Sequence, residues 1–155
     1  MILENNSSMI TLDSIDLQIL DILRSNGKAG IKEIASQIGL TVSPTFERIK
    51  RMERGGVILS YTINVLKKAI GKNLQVFCQV SLKEHNAELI AVFEEQVVGL
   101  PEVTACYHVA GNQDYILLIE VDDMNEYETF LKHKLATIPD ISNVQSSFVM
   151  SALKE

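Results

Sequence analysis

The sequence predicts an α+β protein in two parts: an N-terminal helix-turn-helix domain of the winged type, then a ferredoxin-like βαββαβ sandwich. Three observations carry that prediction. Two short amphipathic helices within residues 31–54 meet at a glycine turn, and residues 74–152 alternate strand and helix patterns in the order β-α-β-β-α-β. Charge, finally, is split between the halves. Residues 1–72 hold ten Lys or Arg against seven Asp or Glu, and residues 73–155 hold four against thirteen, so a chain of net charge −6 has a +3 part and a −9 part. Such asymmetry marks a basic module attached to an acidic one.

Residues 1–10 show no periodicity and are expected to form a tail. Asp13 followed by Asp16 predicts an N-cap with an acid three residues on, and Ile15, Ile19, Ile22 and Leu23 form an apolar stripe at helical spacing. Asn26-Gly27 tolerates the left-handed conformation and ends this helix. A second helix spans Ile31–Ile38, with Gly30 at its start, Ile34, Ala35 and Ile38 facing inward, and Gly39 at its end. Thr41 caps a third helix, Val42–Arg54, in which Pro44 is tolerated because it lies in the first turn. Val57–Val65 alternates and is β-rich, predicting an extended segment, and Lys67–Asn73 is a polar linker. The domains are therefore expected at 11–65 and 74–155, with 66–73 between them.

In the second half Leu74, Val76, Cys78, Val80 and Leu82 share one face of a strand. Ala87–Val98 is helical through Leu89, Ile90, Phe93 and Val97, and Gly99-Leu100-Pro101 stops it. Strands Val103–Ala110 and Tyr115–Val121 are joined by the turn-forming Gly111-Asn112-Gln113-Asp114. A helix over Met124–Thr137 and a strand over Val144–Ala152 complete the pattern.

Projected at about 100° per residue, the third helix places Val42, Phe46, Ile49 and Glu53 on one side, with Met52 flanking. Thr41, Pro44, Glu47, Arg48, Arg51 and Arg54 lie opposite. An apolar face to hold the helix and a guanidinium face to meet bases is the requirement of major-groove insertion. The hydroxyls of Thr41, Ser43 and Thr45 stand near the positive end of the helix dipole, where phosphates bind. Arg48 and Arg51 can each offer a fork to guanine, while Lys50 and Arg54 on the flanks suit phosphates. A merely solvated basic helix is the bland alternative. The glycine turn, the preceding helix and the net-positive half weigh against it.

Other chemistries lack their signatures. No apolar run approaches the ~18 residues of a membrane span, and the first ten residues lack the basic start of a secretory signal. Cys78 and Cys106 have no metal or disulfide spacing and read as core residues, and His85, His108 and His133 are scattered. No phosphate-binding or nucleophile motif occurs. No cofactor, metal or catalytic residue is expected, and the localisation expected is cytoplasmic.

The segments LDSIDLQILDILRSNGKAG, EIASQIGLTVSPTFERIKRMERGGVILSYT, VAGNQDYILLIEVDDMNEYETFL and IPDISNVQSSFVM resemble the leucine-responsive regulatory protein/AsnC family, the feast/famine transcription regulators, over residues 11–150. The resemblance implies a first domain that binds double-stranded DNA. It implies a second that mediates dimerisation, further assembly to octamers, and binding of small effectors, usually amino acids. The family's basic recognition positions fall on Arg48 and Arg51. Its hairpin motif, Gly-Asp-x-Asp, matches at Gly111 and Asp114, with Asn112 in place of the first acid. By the resemblance, effectors bind between neighbouring dimers near this hairpin and the last strand. Gly111, Asn112, Gln113, Asp114, Ser146 and Ser147 are the candidates, with Asp114 as acceptor for an α-ammonium.

The expected protein is thus a sequence-specific transcription regulator responding to a small effector. Two rivals share features with it. A tetrapyrrole-modifying decarboxylase of similar architecture would use Tyr107 or His108 and would not need the basic helix face. A DNA-architectural protein would bind no ligand.

Overall fold

The computed structural model describes residues 10–154, so the first nine residues of the expected tail lie outside it. The chain forms two compact units, one ending at Asn64 and the other beginning at Val65.

The first unit contains α1 (Ser14–Ser25), α2 (Ile31–Ile38) and α3 (Val42–Arg54). A complete capping box starts α1: Asp13 Oδ1 accepts the Asp16 N–H at 2.9 Å, and Asp16 Oδ2 accepts the Asp13 N–H at 3.0 Å. Gly39, at φ 71°, takes the left-handed position that turns α2 into α3. Ile19, Ile34, Ile38, Ile49 and Met52 make the core.

One expectation is corrected here. On α3 the buried stripe is Thr45, Ile49 and Met52, while Val42 and Phe46 are exposed, so the helix is rotated from its apolar projection. Residues 57–65 form no strand. The Val57 and Ile58 N–H groups both donate to the Met52 carbonyl, and no ladder partner follows for the β-prone residues after them. Leu59 is 89% exposed and Ile63 75%.

The second unit opens on a 3-10 turn, Lys67–Ile70, within the expected linker. Glu120 anchors it: its carboxylate meets Lys67 at 3.0 Å, and its backbone carbonyl accepts from Lys72 Nζ at 2.7 Å. The elements β1 (Leu74–Leu82), α4 (Ala87–Val98), β2 (Val103–His108), β3 (Tyr115–Val121), α5 (Met124–His133) and β4 (Ile141–Phe148) then follow. The four strands form one antiparallel sheet in the order β2-β3-β1-β4. Alternate residues Val76, Cys78, Val80, Leu117 and Ile119 face Phe93, Val97, Tyr127 and Phe130, the core beneath the helices. Burial pushes the Cys78 thiol up to about 11, the behaviour of a core residue rather than a nucleophile.

Boundaries shift at the end of the chain. The α5 helix stops at His133, because Lys134 leaves helical geometry, and continues only as a 3-10 turn, Leu135–Thr137. The β2 strand stops at His108, short of Ala110. The last strand runs from Ile141 to Phe148, and its pairing with β1 has an irregularity at Ser81/Leu82, beside its first residues.

Among the described residues, no helix of this unit packs on the other face of the sheet. Phe77, Leu118 and Ala105 share one row across it, and Gln145, Gln79, Ile116 and Tyr107 the next. Phe77 and Tyr107 are exposed there, Ile116 and Leu118 half-buried.

Candidate nucleic-acid interface and effector site

No side chain caps the first turn of α3, and no acid stands in it, so its leading N–H groups face outward at the positive end of a 13-residue helix. Thr41, Ser43 and Pro44 are exposed beside them. Farther along, Lys50 pairs with Glu53 at 2.7 Å and lies 5.8 Å from the Phe46 ring centroid. Arg54 stretches along the surface, its Nε donating to the Lys50 carbonyl at 3.2 Å and its Nη2 standing 3.9 Å from Glu47.

Thr45 departs from this set. Its side chain is buried and its hydroxyl donates to the Thr41 carbonyl at 2.9 Å, so it packs the helix and is withdrawn from any groove contact. Thr45→Val is expected to leave DNA affinity within about twofold while costing ~0.5–1.5 kcal/mol of stability, the worth of one hydrogen bond. Fluorescence anisotropy and urea denaturation check the two halves of that statement.

Arg48 and Arg51 are tied to α1. Arg48 Nη1 donates to Asp13 Oδ2 at 2.7 Å and Asp16 Oδ1 at 2.8 Å, while Arg51 Nη2 donates to Asp16 Oδ2. Asp16 is fully buried, whereas Arg51 remains 44% exposed and Arg48 27%. The Asp16 N–H and the Arg48 guanidinium hold the Asp13 carboxyl below the usual carboxylate range, and the two carboxylates raise Arg48 in return. Sequence reasoning saw Asp16 only as a capping residue. Its partners are 32 and 35 residues away, and no local pattern announces a long-range ion pair.

In the second unit, Gly111 occupies φ 151°, a conformation that L side chains avoid, with open space where a Cβ would stand. Gly111 and Asn112 are exposed, and Gln113 is half-buried. Asp114, expected as acceptor for an α-ammonium, carries one protein donor on each carboxylate oxygen. Oδ2 accepts the Leu82 N–H at 2.8 Å and Oδ1 meets His85 Nε2 at 2.8 Å, so Asp114 ties the hairpin to the loop after β1. The Leu82 N–H, then His85, lower the Asp114 carboxyl. No sequence signal marked His85 as this partner.

Because that group is depressed when folded, its stabilisation is complete above the unfolded value of ~3.9 and is lost as pH falls through the folded value. Asp114→Asn is therefore expected to cost ~1–3 kcal/mol at neutral pH by weakening the Leu82 hold. The gap from wild type should narrow below about pH 4. Urea titrations at neutral and acid pH read both.

The structure does not bring the effector candidates together in one chain. Ser146 pairs with Cys78 on the helix side of the sheet, where its hydroxyl meets Tyr127 Oη at 2.5 Å, and Ser147 points to the open face with Phe77. Phe77 pairs with Leu118 on β3, four residues from Asp114 and so ~13 Å along the strand.

Comparison with known proteins assigns both units to known domain families. Residues 12–58 match the family model of the winged helix-turn-helix DNA-binding domain, and residues 75–155 match that of the Lrp/AsnC ligand-binding domain. The Bkd operon transcriptional regulator of Pseudomonas aeruginosa is 32% identical over 145 residues, covering 94% of this chain and 95% of that protein. A transcriptional regulator from Neisseria meningitidis, solved as a complex with L-Met, superposes with a TM-score of 0.89 at 30% identity, covering 94% of each chain. An AsnC family regulator from Agrobacterium tumefaciens gives 0.89 at 31% identity, covering 93% of this chain and 94% of that one. With an uncapped basic helix on its first unit and an antiparallel sandwich as its second, the chain belongs to the Lrp/AsnC family of transcriptional regulators.

Proposed function

We propose that the chain reads double-stranded DNA through α3 as a homodimer or a larger assembly of dimers, and that an amino acid binding to the sandwich domains adjusts this reading. The observation that carries the proposal is the outer face of α3. Arg48 and Arg51 are each held through one terminal nitrogen, so their other donors remain for a base or phosphate, with Ser43, Thr41, Lys50 and Arg54 around them. A two-fold dimer presents two such helices to half-sites about 34 Å apart and favours an imperfect palindrome. Dimerisation falls to the helix-free sheet face, whose Phe77, Tyr107, Ile116 and Leu118 make an apolar row-and-patch that a second copy can cover.

The effector reading is supported by the L-Met complex of the Neisseria relative and by the exposed hairpin Gly111–Gln113, where backbone N–H groups can meet a carboxylate. Since the hairpin and Ser147 lie apart in one chain, a site using both takes them from neighbouring copies. Octamers built from four dimers provide such junctions and can bend DNA at a cost of order 1–6 kcal/mol per site. The effector shifts the balance between assemblies only by its differential affinity for them. Work on DNA places the protein in the cytoplasm, and among the described residues no helix is long and apolar enough to cross a membrane.

Two titrations of the full chain test the proposal. Duplex binding should weaken steeply between low and moderate salt, and at least one of the twenty amino acids should raise the melting temperature. Salt-independent binding contradicts the DNA reading. A melting temperature unmoved by all twenty contradicts the effector reading.

A further inference from the structure

The geometry points to Asp16 as the positioning residue of the recognition helix: its buried carboxylate, without touching DNA, fixes where Arg48 and Arg51 can reach and so sets selectivity among sequences. The inference rests on the DNA reading of α3 proposed above and deepens it. Asp16 has 0% exposure and sits in the first turn of α1, where the capping box already fixes its rotamer through the Asp13 N–H. One of its oxygens takes Arg48 and the other takes Arg51, so a single immobile group sets the spacing of two guanidinium groups three residues apart.

The charge arithmetic gives this arrangement a particular consequence. Asp13 and Asp16 together balance Arg48 and Arg51, so the four groups add no net charge to the surface. Attraction to phosphates at large therefore depends on the remaining lysines, Arg24 and Arg54, which position without specifying. A guanidinium on a loose side chain swings to the nearest phosphate on any sequence. One pinned through a single nitrogen keeps its other donors in a fixed place and pairs only where a base edge offers acceptors. Removing the Asp16 charge should accordingly free two cations for phosphates while spoiling their aim. Selectivity falls and non-selective binding rises, an opposition of signs that mere loss of packing between α1 and α3 would not produce.

The test uses the full chain and two duplexes, the one that the wild type selects from random DNA and a scrambled version, each at two salt concentrations. Asp16→Asn keeps the shape of the side chain. The ratio of the two affinities is expected to fall about tenfold or more, the discrimination that one bidentate contact supplies, while the scrambled duplex binds at least as tightly as to wild type. Arg51→Ala should lower the same ratio, and the double variant should lose less than the product of the two single losses, because Asp16 acts through the arginines. A ratio within about twofold of wild type, parallel weakening on both duplexes, or fully multiplicative losses in the double variant would each overturn the role of Asp16. If Arg51→Ala and Arg48→Ala both bind like wild type, the DNA reading of α3 itself fails and this inference with it. Should asparagine at 16 unfold the helices, Asp13→Asn, which retains an N-cap residue and removes one carboxylate from Arg48, must show the same opposed changes at smaller size, and their absence overturns the proposal.

Discussion

Arg51→Ala is expected to weaken binding to the selected duplex by about ten- to a hundredfold, the range of one lost bidentate contact. The oligomer should be unchanged, because Arg51 bonds only to Asp16 within its own helical unit. Arg48 stays in place in the variant, since its Nη1 still meets both Asp13 and Asp16. The loss should therefore be confined to recognition and should not appear as unfolding of α1 from α3. Anisotropy titrations at two salt concentrations measure it: the affinity should decline at both, with the salt slope little changed because Asp16 already balances the Arg51 charge. Equal binding by variant and wild type at both concentrations removes Arg51 from the interface.

Leu118→Asp should convert the assembly to monomers. Leu118 lies in the middle of the helix-free face, paired with Phe77 on one side and Ala105 on the other, while its neighbours Leu117 and Ile119 point to the core. A carboxylate there leaves the core intact but puts an unpaired charge at the centre of an apolar contact, which costs several kcal/mol per interface. Sedimentation should show a folded monomer. Binding to a two-half-site duplex should fall by about 10²-fold or more as the second recognition helix loses its tether. An unchanged sedimentation coefficient would place the dimer contact elsewhere.

Much of this architecture was legible in the residues because local rules and packing agree. Ile31–Ile38, Val42–Arg54, Leu74–Leu82, Ala87–Val98 and Tyr115–Val121 begin and end where their caps, glycines and periodicity say they should. What escaped depends on groups distant in sequence. The rotation of α3 was misjudged because Thr45, counted as polar, satisfies its hydroxyl on the Thr41 carbonyl and can be buried, while Phe46 finds Lys50 outside. The alternation of residues 57–65 predicted an extended segment, and with no ladder partner among the described residues that segment joins no sheet.

The sites divided in the same way. The basic residues of α3 could be named from composition and phase, whereas their tether to Asp16 spans half of the helical unit and left no local trace. At the hairpin, Gly111 was legible as part of a turn-forming tetrapeptide, and it sits at φ 151°. The two protein donors on Asp114, Leu82 N–H and His85, come from the end of β1 and the loop after it and left no local trace. Ser146 and Ser147, adjacent in sequence, fall on opposite faces of the sheet, a consequence of the strand's period of two.

The central claim is that a sequence-reading helix and an amino-acid-sensing sandwich are coupled in one assembly. Selection of bound sequences from random DNA, run with and without a mixture of the twenty amino acids, tests it most directly. An imperfect palindrome with half-sites about one helical turn apart should be enriched, and its occupancy or the number of sites bound should change when the amino acids are present. A pool that stays random, or an enriched motif indifferent to every amino acid, would contradict it.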